Sequence, residues 1–362
     1  MAYIGLQTLA NPNCVSRFST IIFIRGKLKY MHIGIYTAIL HDRDIDSALD
    51  VIKSLGLNGA EINSGGFLPP VHLPIADIMS SNDKRDEYLE KFQSRGIKLT
   101  ALNCNGNPLS PNKAIGARQA QDVMDAVKIA NRLGVDRVIT MSGLPAAEPN
   151  GSRAAWYVNT WSSEHMDALD YQWNDVAIPF WKKIDELAGE NGVKVGLEMH
   201  PQNVVFNPST MLRLVEAGNL KNIGAEMDPS HLFWQQIDPI YALEVLGNLV
   251  YCAAAKDVRI NPGVKIHGVL DDRFTRIPAS ENPLPLSHDG QFVVNAWPRD
   301  SAWDFVALGN GHDQAFWNKF VQTLARTSPT TDIAIEHEDS SYGRVEGLEI
   351  ASNVLKTAYA SI

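Results

Sequence analysis

Three short phrases in this 362-residue chain end an apolar run in acids and imidazoles, side chains able to move protons and hold metal ions. "GLEMHP" carries Glu198 and His200, "AEMDPSHLFW" carries Asp228 and His231, and "IAIEHEDS" carries Glu336 and Glu338 with His337 between them. Residues two apart in a strand share a side, so Glu198 goes with His200 and Glu336 with Glu338. If the strands lie together with these residues inward, Glu198, Asp228 and Glu336 converge on one pocket. Carboxylates at close range raise one another's proton affinity, and a divalent cation is the natural way to keep all three ionised. Oxygen donors with an imidazole suit Mn2+, with Mg2+, Co2+ or Zn2+ as alternatives. One acid at a strand end is more often an ion-pair partner or a helix cap, but three at corresponding ends are harder to explain that way. Glu61 and Asn103 close two earlier apolar runs and could orient substrate hydroxyls, although turn and capping roles fit them equally well. His312 in "GNGHDQAFW" reads as the start of a helix, and Cys252 as a small core residue.

The elements that must position these groups recur along the chain. From Met31 onward a short apolar run is followed by a longer amphipathic segment, eight times in all, from "MHIGIYTA" with "DIDSALDVIKSLGL" to "DIAIEHE" with "VEGLEIASNVLKTAYA". Such alternation argues for a parallel sheet covered by helices, and a count of eight favours a (β/α)8 barrel over an open doubly wound sheet. No glycine-rich phosphate fingerprint follows the first strand. The expected architecture is a single TIM-barrel domain over residues 31–362, with long insertions after strands 4 and 7, near 143–174 and 258–311. In such barrels the reactive groups sit where strands end and βα loops begin, which is where the acids lie. The insertions carry Trp156, Trp161, Trp173, Trp297 and Trp303. Their rings could stack on sugars, yet pinning long loops or forming subunit contacts, in a homo-oligomer or with a small partner subunit, is the commoner role.

Composition excludes several classes. A formal net charge of −9 repels phosphate backbones, and no Lys/Arg run offers a local basic face, so no nucleic-acid partner is expected. The three cysteines, Cys14, Cys104 and Cys252, are too few and too scattered for a disulfide framework or a thiolate zinc site, which fits a reducing cytoplasm. "FSTIIFI" within residues 1–30 is too short to span a bilayer and lacks a basic region before it, so no membrane association is expected. Those thirty residues read as an N-terminal appendage outside the barrel.

The phrases "LNCNGNP", "LEMHP", "DPSHLFWQQID", "AKD", "GVLDDR", "GNGH" and "IEHED" occur in this order along one chain. On these the chain resembles the sugar phosphate isomerase/epimerase family, the xylose-isomerase-like TIM barrels, over essentially all of residues 31–360. The resemblance implies a metal held by Glu198, Asp228 and Glu336, with His231 on substrate oxygens and Glu198 and Glu336 as the acid/base pair. It also implies a histidine ligand on strand seven, where the family reads His-Ala-Lys-Asp and this chain reads Ala254-Ala255-Lys256-Asp257. A methyl group cannot ligate, which leaves three accounts. The carboxylates hold the ion with water or with His200; or Lys256, on Ala254's side of the strand, replaces the ion; or Ala254 is an altered position in an ordinary enzyme. A lone lysine is a poor match for three clustered acids, which disfavours the second.

The chemistry implied is abstraction of a proton next to a sugar carbonyl through an enediolate, followed by its return from the opposite face (epimerase) or at the adjacent carbon (isomerase). With a leaving group at the β position the same step makes a lyase acting on a 3-keto-glycoside, or an inosose-type dehydratase. Strand ends alone do not separate these outcomes, so the substrate is expected to be a small carbohydrate or keto-glycoside. A non-catalytic sugar-binding barrel is a further alternative, motivated by Ala254. A related branch that cleaves DNA at abasic sites needs more histidines and a basic face.

Overall fold

The computed structural model describes residues 31–282, 285–288 and 293–362. Ten strands run through it: β1 Ile33–Tyr36, β2 Gly59–Asn63, β3 Lys98–Asn103, β4 Arg137–Met141, β5 Lys194–Glu198, β6 Ile223–Met227, β7 Val250–Ala255, β8 Asp257–Ile260, β9 Trp303–Val306 and β10 Ile333–Ile335. Eight of them close a barrel in the order β1-β10-β7-β6-β5-β4-β3-β2, and every pairing around it is parallel. Helices follow the barrel strands as the alternation requires, so the eight strand–helix pairs read from the sequence are the eight of the fold. The thirty residues before Met31, including "FSTIIFI" and Cys14, lie outside the described residues. Among the described residues no helix is long and apolar enough to cross a membrane.

Strand period separates two packing faces. Outward residues such as Ile35, Ile62, Leu102, Val138, Leu197, Met227 and Ile335 join the large cluster beneath the helices. Inward, apolar contact is confined to a small plug of Ala101, Ile139 and Cys252, so Cys252 is the core residue its position suggested. Local signals set the helix ends. Asn112 caps Lys113–Leu133 by accepting from the Ala114 and Ile115 amides, and Gly134, at φ 71°, ends the helix in the left-handed conformation a Cβ disfavours.

Both insertions show order that the sequence did not suggest. After β4 the chain enters a helix, Ser163–Asp170, passes through a π-helical stretch, Tyr171–Ala177, and continues as Ile178–Asn191. The helical segment thus begins at Ser163, inside the stretch near 143–174 read as an insertion: Pro179 has no amide hydrogen to donate, and the wider turn just ahead of it absorbs the interruption. After β7 the chain does not run out into a loop. It continues through Lys256 into β8, which pairs antiparallel with β9.

The tryptophans mostly pin these segments. Trp173 is buried with the Arg213 guanidinium 4.1 Å from its ring centre, and Trp156 meets Phe206 edge-on. Trp303 stacks on Trp234 at 5.1 Å and touches Trp297 and Phe305. Trp161 is 95% exposed and contributes no packing.

Candidate active site

Register decides which side chains enter the barrel. Glu198 of β5 stands opposite Glu226 of β6, and partners across a parallel ladder point the same way. Counting by twos, Asp228 follows Glu226 inward, and Lys256 follows Cys252 and Ala254. Glu336 follows Ala334 on the inward side of β10, while His337 points out against the helix Arg344–Tyr359. A Cβ on Gly347 of that helix would lie 2.0 Å from the His337 ring, so the glycine makes room for it. His337 is therefore a packing residue between two functional candidates.

On one side of the mouth, Glu198, Asp228, His200 and His231 meet. Asn105 Nδ2 donates to Glu198 Oε2 at 2.6 Å, while Glu198 Oε1 lies 3.1 Å from His231 Nε2. The same Nε2 is 3.4 Å from Asp228 Oδ2. Asp228 Oδ1 accepts from the Ser230 amide at 2.8 Å, which leaves Oδ2 buried without a hydrogen bond. The rings of His200 and His231 are 4.1 Å apart. His200 Nδ1 faces the Pro201 carbonyl at 2.6 Å and must carry the proton there, so its Nε2 keeps a lone pair. Burial, then the neighbouring His231, pulls His200 down to about 4, and burial followed by Lys256 holds His231 well below the usual imidazole range. Both shifts favour the neutral imidazole, whose lone pair can ligate.

The other side belongs to Lys256. Its ammonium lies 2.7 Å from Glu338 Oε1, 3.1 Å from Glu336 Oε2 and 3.8 Å from Asp228 Oδ2, with the Phe305 ring 4.6 Å away. Burial alone would discharge the lysine, but Glu338, Glu336, Asp228 and Glu198 outweigh it and raise its pKa well above normal. Deeper in the barrel Asn103 Nδ2 donates to Glu61 Oε1 at 2.8 Å, and Tyr36 donates to Asn63 Oδ1 at 3.1 Å. Burial outweighs the Asn103 hydrogen bond and, with the charge of Glu198, pushes Glu61 up to about 8. Burial likewise raises Asp228 to about 7 against the pull of Lys256, and Glu336 rises well above the carboxylate range.

Glu61, Asn103, Glu198, His200, Asp228, His231, Lys256, Glu336 and Glu338 therefore lie in or beside this interior, with one rearrangement, whereas His337 does not enter it. Glu198, His200 and His231 bring donor atoms within 4.8 Å of one another, whereas Glu336 meets that limit with Glu61 and Glu226. Three contributors were missed. Asn105 lay within a quoted phrase, and Glu226 stands two residues before Asp228, where period two would have placed it. Asp257, also within a quoted phrase, accepts from the amides of Gly309, Gly311 and His312 at 3.0, 3.1 and 3.0 Å, and lies 2.7 Å from His312 Nδ1. His312 thus anchors the end of the insertion to β8 and precedes the helix Gln314–Thr327, whose cap is Asp313.

The donor set fits a divalent cation. Asp228 Oδ2 and both ring nitrogens of His231 are buried without a hydrogen-bond partner, and His200 offers the imidazole lone pair that Ala254 cannot. Of the acids in this interior Lys256 contacts Glu338, Glu336 and Asp228, and among the described residues no ammonium lies within 4 Å of Glu61, Glu198 or Glu226.

Comparison with known proteins agrees with this architecture. A curated relative, the uncharacterized protein YfiH of Bacillus subtilis (strain 168), is 33% identical over 331 residues, covering 90% of this chain and 98% of that protein. Among solved structures, the probable 3-DHS dehydratase AsbF of Bacillus anthracis, involved in petrobactin synthesis, superposes with a TM-score of 0.60 at 14% identity, covering 90% of this chain and 99% of that one. An L-ribulose 3-epimerase superposes with a TM-score of 0.56 at 14% identity, covering 91% of this chain and 96% of that one. At these identities the superpositions speak for the fold. The family model described as xylose isomerase-like TIM barrel matches residues 49–358, and the chain belongs to that family.

Proposed function

We propose that this protein is a divalent-metal-dependent carbohydrate isomerase or epimerase that moves a proton next to a sugar carbonyl. The observation that carries the reading is the placement of Glu198 and Glu336, on barrel strands three places apart, facing one interior with neutral imidazoles beside the first and an ammonium beside the second. Glu198, Asp228, His231 and His200 would hold the cation, Mn2+ by preference and otherwise Mg2+, Co2+ or Zn2+. When bound, it would polarise the substrate carbonyl and the hydroxyl next to it.

The chain's own groups do the rest. One of Glu198 and Glu336 takes the proton from the hydroxyl-bearing carbon next to the carbonyl, and the other, entering protonated, delivers its own proton to the opposite face of that carbon. In isomerisation the proton goes to the former carbonyl carbon, while the hydroxyl proton passes to the former carbonyl oxygen. Lys256 remains charged, so enediolate charge arising near Glu336 meets a fixed ammonium instead of water. Glu61 and Asn103, held to each other, present polar edges to the deeper part of the substrate. Phe305 and the Trp234–Trp303 stack line the insertion that flanks Lys256 and limit water access. The proposed setting is the cytoplasm, with a small carbohydrate as substrate.

The test is solvent exchange. The Mn2+-loaded protein is incubated with a panel of ketopentoses and ketohexoses in deuterium oxide, and α-deuterium is followed by NMR. Incorporation into at least one ketose, with its epimer or aldose appearing, is expected. Release of an aglycone from 3-keto-glycosides without any ketose exchange would replace this reading by the lyase, and binding without either reaction would replace it by a sugar-binding barrel.

A further inference from the structure

Glu226 has no part in the chemistry above, yet it is among the least accommodated groups in the molecule. It is 1% exposed, and neither carboxylate oxygen has a hydrogen-bond partner. It lies in the closed barrel at the level of Glu198, one inward step below Asp228. One of its oxygens, one from Glu61 and one from Glu336 all lie within 4.8 Å of one another. Metal–oxygen bonds of roughly 2.0–2.6 Å put ligand oxygens on opposite sides of an ion up to about 5 Å apart, so the cluster has the span of one small cation.

We propose that Glu61, Glu226 and Glu336 form a second divalent-cation site, of hard oxygen ligands only, inside the barrel below the mouth. The flanking groups are set for it. Asn103 holds Glu61 at 2.8 Å and Lys256 holds Glu336 at 3.1 Å, each from outside the triad, while Glu226 alone is unheld. Carboxylates without imidazole or thiolate select Mg2+, Mn2+ or Ca2+ over softer ions, which sets this site apart from the histidine-containing one above it. An ion here would fix Glu336 from below.

The site proposed at the mouth and this one are separable by stoichiometry. The full chain is stripped with EDTA, loaded with Mn2+, desalted and assayed for manganese per chain by elemental mass spectrometry, alongside Glu226→Gln and His231→Ala. Two ions in the parent, falling to one in each variant, are expected. One ion in the parent that survives His231→Ala but disappears in Glu226→Gln would keep the deep site and remove the mouth site. The same count in Glu226→Gln as in the parent would overturn the deep site. Should Glu226→Gln fail to fold, crystals of the parent soaked in Mn2+ decide. An anomalous peak in contact with Glu61, Glu226 and Glu336 supports the site, and its absence at full occupancy of the mouth contradicts it.

Discussion

Asp332 and Glu336 stand four residues apart at the two ends of one barrel strand, and their surroundings are opposite. Asp332, at the floor, accepts from the His32 amide at 2.8 Å and from Lys98 Nζ at 2.7 Å, with His32 Nδ1 at 3.0 Å. Burial would raise it, but the hydrogen bonds from His32 and Lys98 win and hold it below the usual range. Glu336, at the mouth, shares one ammonium with Glu338 and Asp228, and Glu226 and Asp228 Oδ2 nearby have no hydrogen bond at all. A fold that satisfies its carboxylates so fully at the floor could do so at the mouth. That it does not marks the mouth acids as groups held ready for something that arrives, in line with the division of such barrels into a stabilising face and a reactive one.

Breaking the comparison at the mouth should give the largest effect. Glu198→Gln and Glu336→Gln should each lower kcat for α-proton exchange by about 10^2 to 10^4-fold, the usual worth of a positioned acid or base, with the melting temperature at least retained. Loss of stability instead would mean these acids are structural, as Asp332 is. Next in size is Asp257, the fully satisfied carboxylate beside the site. Asp257→Ala leaves three distant amides and an imidazole without their acceptor and should cost about 3 kcal/mol, read from denaturant unfolding.

The two ends also respond to pH with opposite sign. Asp228 at about 7 and Glu61 at about 8 are raised, so the metal-free folded chain binds protons that the unfolded chain, with ordinary carboxylates, releases. Their contribution is fully present below the unfolded values and is lost as pH rises through 7 and 8. Asp332 is lowered, so its contribution is present above its unfolded value and is lost only in acid. EDTA-treated protein should therefore melt lower at pH 8.5 than at pH 6, and Asp228→Asn should flatten that slope. Smallest of all, Trp161→Ala should change stability by no more than about 0.5 kcal/mol, because the ring is exposed and packs on nothing.

Much of this was legible in the residues. Strand–helix alternation gave the eight-stranded closure, since apolar period is a local property. Glu198, Asp228 and Glu336 were visible because each ends an apolar run. Glu226 was not, although period two places it inward. An acid inside a strand means little until the barrel closes and shows that Glu61 and Glu336 point at the same space. Asp257 was unreadable for a different reason: its partners lie 52 to 55 residues away, across an insertion. The pairing of β8 with β9 crosses the same insertion. The π-helical stretch before Pro179 is an irregularity that a helical period averages over.

The most direct measurement is the melting temperature at pH 8 of the EDTA-stripped chain, with and without millimolar Mn2+. Acids left unpartnered for a cation should return stability when it binds, by about 2.7 kcal/mol at a hundredfold excess over the dissociation constant, or roughly 3–6 °C. An unchanged melting temperature, with no manganese retained after desalting, would contradict the claim that the mouth of this barrel is built around a metal.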